Sequence, residues 1–373
     1  MADYLDREQW HRQLLQRDRD LSVEEVVEAA AGIYSTAPTS YLSLAARIPG
    51  FTRFDLERAL FKDRTLVRRA SMRGSGFLLP IDRIDAVVSA SDREEWYTGA
   101  VDKAVGAATR RKWTDRVLEI LDGRVLRARE IRAEMRVAAD RSEALRFLLS
   151  SMSQHRLIAF ASGTSGWRDN QYGYARWDQW FPDHSVRELD PGVAREELAR
   201  WYLQGHGPAT VDDFAWWSGL NKANAALALS AVSEPYGEGW HDLPGVTPSP
   251  SPGGLRLLPI WDTALVTQKS RRRMVDPDRY PYIYDASGNV TSAIVSDARV
   301  VGVWDRGGDA DRIEIKAAFF DPPGPSEIDA VESEAETLAA AVGATDMTVA
   351  FVGDIVDLTR ASRNRFMSPL SGA

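Results

Sequence analysis

The sequence predicts an α+β protein, mainly α-helical, with three tandem winged helix-turn-helix units followed by a C-terminal β-rich, barrel-like domain. Along the first two-thirds of the chain, a group of helices is repeatedly followed by a β-hairpin whose turn contains glycine. A Pro/Ser/Gly linker at 247–254 then leads into a strand-rich region. The 373 residues exceed one ordinary core, which favours two to four domains. We expect winged helices at 1–95, 96–187 and 188–246, and the last domain at 255–373.

The first unit has the clearest local signals. Ser22, with Glu25 three residues later, predicts a capped helix start. Pro38 near the start and Pro49-Gly50 at the end delimit the next helix. The predicted elements are helices at 22–31, 40–47 and 55–61, and strands at 65–72 and 77–79 around the turn Arg73-Gly-Ser-Gly76.

The later units repeat this rhythm more loosely. The predicted helices lie at 113–121, 128–138 and 142–153 in the second unit, and at 193–203, 211–219 and 221–233 in the third, where Thr210 or Asn221 is expected to cap a helix. A hairpin at 156–160 and 171–176 closes the second unit. Past the linker, strands are predicted at 255–260, 290–296, 300–304, 312–320 and 347–352, with a helix at 326–342.

The charge is unevenly distributed. The whole chain has a net charge of -8, but residues 41–80 have eight basic and three acidic side chains, and residues 101–160 have thirteen basic and eight acidic ones. Affinity for phosphate depends on the local basic footprint, whereas the overall sign mainly affects solubility. The two basic segments therefore favour nucleic acid as a partner.

Composition excludes several classes of chemistry. The chain has no Cys, which removes disulfides and thiolate catalysis, and its five His are scattered, so we expect neither a metal nor another cofactor. No window approaches eighteen uninterrupted apolar residues and the N-terminus is polar, so we expect no membrane span and no signal peptide. We expect a cytoplasmic monomer, associated with the nucleoid if the source is bacterial.

The first hairpin contains three candidate DNA contacts, Arg68, Arg69 and Arg73. Arg73 is at the turn of the predicted wing, where phosphate contact or groove insertion is expected. Arg68 and Arg69 are adjacent in a strand and point to opposite faces, so at most one of them faces DNA. The alternative is that these arginines only lie on the exposed edge of the hairpin, where their charge prevents pairing with other strands.

Two further basic runs are candidate contacts. Arg111 and Lys112 precede Trp113 and form either a phosphate clamp or an exposed basic turn. The densest run contains Lys269, Arg271, Arg272 and Arg273 and precedes a cluster of tyrosines, a combination that suits a nucleic-acid surface. Asp262, just before this run, is either a general base or an ion-pair partner of one of these arginines, and we favour the ion pair.

Four segments, in order along the chain, resemble the winged-helix DNA glycosylases of the AlkZ/YcaQ type. They are Gly32 to Gly50, the Met72-Arg73-Gly74 hairpin, the stretch GPATVDDFAWWSGL at 207–220, and LLPIWD at 257–262 continuing to VVGVW at 300–304. The resemblance implies three winged helices in a curved layout around DNA. It also implies double-stranded DNA, alkylated or crosslinked, as partner, and excision of bulky purine lesions as activity.

The chain departs from that family at the catalytic signature. The family has Gln–aliphatic–Gln or Gln–aliphatic–Asp in the loop that opens the second helix, and the matching positions here are Tyr34, Ser35 and Thr36. Tyr34 and Thr36 can hydrogen-bond a water, but they are poor bases near neutral pH. Either the chemistry has moved to another residue, with Asp262 as the candidate, or it has been lost and the loop only caps a helix.

Three functions therefore remain open from the sequence. The first is a DNA repair protein that acts on bulky alkylated bases through a diverged loop. The second is a non-catalytic binder of duplex DNA that shields lesions or regulates transcription. The third is sequestration of a small genotoxic ligand.

Overall fold

Three small antiparallel sheets share one connectivity in the computed structural model, which describes residues 2–36, 38–90, 95–163, 166–168, 172–271, 273–309 and 311–363. In each sheet the third strand lies between the first and the second. In each region the first strand follows a helix, and the other two strands form a hairpin after two more helices. This shared order makes the three regions structurally comparable.

The first region begins after helix α1 (Ala2–Arg12). Its elements are α2 (Val23–Ala29), β1 (Ile33–Tyr34), α3 (Thr39–Ala45), α4 (Arg53–Glu57) continued by a π-helical segment (Arg58–Lys62), β2 (Leu66–Ala70) and β3 (Gly76–Pro80), with α5 (Ile84–Ala90) after them. The predicted capping box is confirmed, since Ser22 Oγ accepts from the Glu25 amide and the Glu25 carboxylate accepts from the Ser22 amide.

The second and third regions follow with the same order. The second comprises α6 (Glu95–Val105), α7 (Ala107–Ile120), β4 (Leu126–Arg127), α8 (Ala128–Glu134), α9 (Ser142–Gln154), β5 (Ile158–Gly163), β6 (Tyr172–Arg176) and α10 (Trp177–Trp180). The third comprises α11 (Pro191–His206), β7 (Ala209–Thr210), α12 (Val211–Ser218), α13 (Lys222–Val232), β8 (Glu234–Pro235) and β9 (Trp240–Asp242). Thr210 and Asn221 cap α12 and α13 with their side-chain oxygens, as the sequence predicts.

The C-terminal region is an open mixed sheet. Its elements are β10 (Leu255–Leu258), α14 (Thr263–Val266), α15 (Tyr280–Ile283), β11 (Ala293–Ser296), β12 (Arg299–Gly308), β13 (Arg312–Phe319), α16 (Pro325–Val342), β14 (Asp346–Phe351) and α17 (Ile355–Arg363). The strands lie in the order β10-β11-β12-β13-β14, and α16 is the crossover that makes the last pair parallel. Since β10 and β14 are opposite edges, the predicted barrel-like closure is corrected to an open sheet.

Some apolar cores are shared between regions of the molecule, and one belongs to a single region. The first region shares one core with the C-terminal sheet and α16, and its hairpin shares another with the third region. Helices α6, α7 and α9 of the second region pack around a core of their own, which includes Val117, Leu148 and Ile158. Buried apolar contacts between units therefore hold the first hairpin against α12. None of the helices in the described residues is both long and apolar enough to span a membrane.

Candidate nucleic-acid interface

Tyr34, which the sequence resemblance matches to the family's first catalytic residue, is held in β1. It pairs with Phe77 of β3, and its ring centroid lies 5.1 Å from that of Phe77 and 6.1 Å from that of Trp261. Burial raises the pKa of the Tyr34 phenol, although a hydrogen bond with Ser75 and the charge of Arg73 both act to lower it. The phenol is therefore neutral at physiological pH and cannot act as a base.

A narrow crevice runs beside Tyr34. It has a volume of about 10 Å³ and is lined by Tyr34, Met72, Arg73, Ser75, Phe77, Trp217, Val266 and Thr267. That volume is enough for about one water molecule and far too small for a nucleobase. None of the lining residues in the described chain is a carboxylate or a carboxamide, so this crevice has no general base.

Thr36, which the resemblance matches to the last residue of the catalytic signature, does not line the crevice beside Tyr34. It is half-buried, and its carbonyl oxygen accepts the amide of Ser40 at 3.2 Å, as in the first turn of a helix. Its local hydrogen bonding is that of a helix start. The described residues therefore give Tyr34 and Thr36 no common cleft with a carboxylate.

Asp262 is a fully buried ion-pair partner. Its two oxygens accept from Arg47 Nη2 at 2.7 Å and Nη1 at 2.9 Å, and it also accepts from Ser43 Oγ at 2.6 Å and the Ala264 amide at 2.9 Å. Neither Asp262 nor Arg47 has an exposed side chain. The prediction of Asp262 as a relocated base is therefore corrected, because a base must reach water and substrate. The favoured ion pair is present, but its partner is Arg47.

Three predicted DNA contacts are buried and are likewise corrected. Arg68 is 5% exposed and stacks on the ring of Tyr172, 4.3 Å from its centroid, and burial lowers its pKa to about 10. Arg69 donates from Nη2 to the carbonyl of Gln154 at 3.1 Å. Tyr172 and Gln154 both belong to the second region, which packs against β2, and this is why neither member of the alternating pair faces solvent.

Arg273 is also interior, 1% exposed, and donates to Gln9 Oε1 and to the carbonyls of His206 and Pro208. It links α1 to the end of α11 and is a structural group. Its neighbour in the predicted run, Arg272, lies outside the described residues.

Arg73 remains at the surface, at the turn of the first hairpin. Its backbone has a positive φ of 55°, which is uncommon for a residue with a side chain. Its guanidinium lies 3.5 Å from the ring centroid of Trp216 in α12. Gly219 ends α12 with a φ of 79°, and a Cβ there would lie 3.2 Å from the Arg73 amide nitrogen. A glycine at this position therefore allows the hairpin turn to approach α12 closely.

Arg271 lies near Trp216, and the two side chains lie on either side of the space left by Gly288. The Arg271 guanidinium lies 4.9 Å from the ring centroid of Tyr284. A Cβ on Gly288 would lie 2.8 Å from both Arg271 Nη2 and Trp216 Cζ2, so a glycine at this position leaves room for both side chains. Arg73, Trp216 and Arg271 thus form one half-buried group, here called the tryptophan–arginine cluster, from three distant parts of the chain.

The other predicted contacts lie on the surface outside this cluster. Lys269 is exposed, and its Nζ lies 3.7 Å from Asp212, which also pairs with Lys222 at 2.8 Å. Arg111 and Lys112 are exposed on α7 in the second region. No group of three or more His, Asp or Glu side chains suited to a metal ion occurs in the described part of the chain.

Sequence reasoning missed two members of this surface. Trp216 is half-buried, and its face carries Arg73. Trp261 was not singled out, yet it packs beside Tyr34 and donates to Asn289 Oδ1 at 3.1 Å. The Trp216-Trp217 pair was the available signal: adjacent positions on a helix point about 100° apart, so one ring can be buried while the other reaches the surface.

Comparison with known proteins identifies the family. The sequence profile of the AlkZ-like DNA glycosylases matches residues 11–341. The interstrand DNA cross-link repair glycosylase of Streptomyces sahachiroi is 24% identical over 371 residues, covering 91% of this chain and 96% of that protein. The solved structure of Streptomyces sahachiroi DNA glycosylase AlkZ has a similar fold, with a TM-score of 0.72, 22% identity and coverage of 94% of this chain and 99% of that one. The chain belongs to the AlkZ-like DNA glycosylase family.

Proposed function

We propose that this protein binds duplex DNA that carries bulky alkylated or crosslinked nucleobases. The observation that carries the proposal is the tryptophan–arginine cluster, in which the Arg73 guanidinium lies on the Trp216 ring and Arg271, from a different unit, lies near that ring and on Tyr284. Family membership and the similarity to the Streptomyces interstrand DNA cross-link repair glycosylase support the choice of damaged DNA as ligand.

We further propose that the three regions of shared connectivity are winged helices at 1–95, 96–187 and 188–246, with the C-terminal domain at 255–373. The strand order and the hairpin after the third helix support this division. In it, the turn that carries Arg73 is the wing of the first unit, and α12 is the second helix of the third. The cluster then lies where two winged helices and the C-terminal domain meet.

The chemistry of the cluster suits a phosphate backbone beside an unstacked or distorted base. Guanidinium groups donate to phosphate oxygens in pairs of hydrogen bonds, and an indole face offers a stacking surface for any base. Arg271 and Arg73 supply the charge, and Trp216 supplies the face. Lys269, Arg111 and Lys112 are proposed as weaker, more distant phosphate contacts, which set register without reading sequence.

Binding is tested with fluorescently labelled duplexes of one sequence, either undamaged, alkylated on purine nitrogens, or crosslinked between strands. We expect salt-dependent binding to all three and tighter binding to the damaged ones, because phosphate contacts release counterions whatever the sequence. Equal affinity for damaged and undamaged duplexes would show that the protein does not recognise the lesion. Absence of binding at low salt would show that duplex DNA is not its ligand.

A second candidate function is shielding of such lesions without cleavage of the glycosidic bond. One observation favours it: Tyr34 is held between Phe77 and Trp261 in a crevice without a carboxylate, at the position of a family catalytic residue. The two functions separate in one assay, the release of alkylated bases and formation of abasic sites in the duplexes above. Abasic sites above the rate without protein favour the enzyme, and tight binding without them favours the shield.

A further inference from the structure

A second crevice lies on the other side of the loop. The segment from Pro259 to Trp261 separates the two crevices: Trp261 packs on Tyr34, while Pro259 and Ile260 line the second crevice together with Pro38 and Leu42. Thr39 fixes this segment to α3, because its hydroxyl donates to the carbonyl of Ile260 at 2.9 Å. The second crevice has a volume of about 30 Å³, room for one or two water molecules.

The polar groups of this crevice come from the C-terminal sheet and α17. They are Ser292, Asp305, Arg306 and Ser362. Asp305 is half-buried, and both serines are buried, at 7% and 4% exposure. The crevice therefore has a carboxylate residue and two hydroxyl residues in its lining, beside Pro38 and Leu42, which follow the family's catalytic positions.

Strand and helix periodicity place the Asp305 side chain beside Ser362. In β12, Val303 and Asp305 are two residues apart and point to the same face of the sheet. That face is covered by α17, since Val303 and Leu358 belong to one apolar cluster. Ser362 follows Leu358 by four residues, on the same side of α17. Asp305 is thus directed toward α17 and Ser362, whereas Trp304 and Arg306 point to the opposite face of the strand.

We propose that Asp305 is the general base of a glycosidic-bond hydrolysis in this protein, in place of the family's carboxamide residues. This inference rests on the proposed binding of damaged DNA. Asp262 has no exposed side-chain surface, and the crevice beside Tyr34 has no acid among its lining residues. Asp305 is half-buried and lines a water-sized crevice on the other side of the loop.

In the proposed step, the Asp305 carboxylate takes a proton from a water held by Ser292 and Ser362 while the water oxygen bonds to C1′ of the damaged nucleotide. The bond from C1′ to the base nitrogen breaks, and its electron pair leaves with the base, which is neutral if alkylation had made that nitrogen cationic. The products are an abasic sugar, the free base and a protonated Asp305, which returns the proton to solvent.

The test compares wild type with Asp305→Asn, Asp305→Glu and a matched control, Glu314→Gln. Glu314 is half-buried on the neighbouring strand, so its neutralisation makes the same charge change on the same sheet without reaching the crevice. Each variant is incubated in excess over an N7-alkylated duplex, and single-turnover rates of abasic-site formation and duplex affinity are measured across pH. Folding is checked by circular dichroism.

We expect Asp305→Asn to lose about 100-fold or more in rate, the usual contribution of a positioned base, with duplex affinity unchanged. Asp305→Glu should recover part of the rate, Glu314→Gln should match wild type, and the wild-type rate should rise with pH through a carboxylate titration that Asp305→Asn lacks. A wild-type rate in Asp305→Asn overturns the proposal. If Asp305→Asn does not fold, the wild-type protein alone still tests the proposal: a single-turnover rate that does not rise with pH through a carboxylate titration overturns the role of Asp305.

The outcome is independent of the binding proposal. A wild type that binds damaged duplex but forms no abasic sites overturns the role of Asp305 and leaves the shielding function standing. A wild type that binds no damaged duplex overturns the proposed function itself.

Discussion

Two sets of arginines in this protein have opposite surroundings. Arg47 and Arg273 are buried, and carboxylate, amide and carbonyl oxygens occupy their guanidinium groups. Arg73 and Arg271 are half-buried, and each has a guanidinium group against an aromatic ring. The first set joins units of the fold, and the second set presents charge at a surface where units meet. Basic residues close in sequence thus serve different purposes, as Arg271 and Arg273 show within three residues.

The largest effect is expected at the interior set. Arg47→Ala leaves Asp262 buried without its partner, which should cost roughly 3 to 5 kcal/mol of unfolding free energy. Urea unfolding followed by fluorescence measures it. The double change Arg47→Met with Asp262→Leu should cost less than Arg47→Ala, because no buried charge remains. A double variant less stable than the single one would contradict the role of Arg47 as the partner of a buried charge.

The second effect is a pH dependence of stability from His206. Burial, with the charges of Arg273 and Arg47, holds the pKa of His206 well below its usual range. The unfolded chain therefore binds a proton that the folded chain does not, so stability is retained above about pH 6.5 and falls below it by up to about 1.4 kcal/mol per pH unit.

His206→Gln should flatten this dependence, measured as the urea midpoint between pH 7.5 and pH 5. His155→Gln is the matched control, because His155 is exposed on the second region and should change nothing. An unchanged slope in His206→Gln would mean that other groups set the acid limit of stability.

The third effect concerns the surface set. Trp216→Ala removes the ring on which Arg73 rests and should weaken duplex binding about fivefold, the equivalent of about 1 kcal/mol. Trp216→Phe keeps an aromatic face and should retain most of the affinity. Fluorescence anisotropy at a fixed salt concentration measures both. Equal losses in the two variants would indicate that the indole matters for packing rather than for holding Arg73.

The smallest effect is expected from Lys269→Ala. The Lys269 ammonium group lies 3.7 Å from Asp212, so part of its charge is already compensated. We expect its removal to lower the slope of log affinity against log salt by less than about 1, the value for one full phosphate contact. A larger change than that caused by Arg73→Ala would move the centre of the interface away from Trp216.

Local signals predicted most of the fold. The capping box at Ser22, the cap at Asn221 and the turn at Arg73 are confirmed, because each depends on residues within a few positions. The strands β1, β4 and β7 were not predicted, because each has only two residues, and two residues are too few to show an alternating pattern. The barrel-like domain was wrong because sheet closure depends on which edges meet, and strand patterns do not encode this.

The site was predicted only in part, for a related reason. Arg73 and Arg271 were identified, but the packing of Arg73 on Trp216 was not, because these two residues are more than a hundred positions apart in the chain. The burial of Arg68 and Arg69 follows from the second region covering β2, which no local pattern shows. Asp262 was rightly favoured as an ion-pair partner, yet Arg47 lies 215 positions away, and the nearer arginines looked equally suitable.

Salt dependence of duplex binding tests the central distinction most directly. Affinity for one alkylated duplex is measured from low to high salt for wild type and for the double variant Arg73→Ala with Arg271→Ala, with thermal unfolding as the check on folding. We expect the double variant to keep the wild-type melting temperature and to lower the slope of log affinity against log salt by about 2. An unchanged slope in a folded double variant would show that the tryptophan–arginine cluster is not where this protein meets the phosphate backbone.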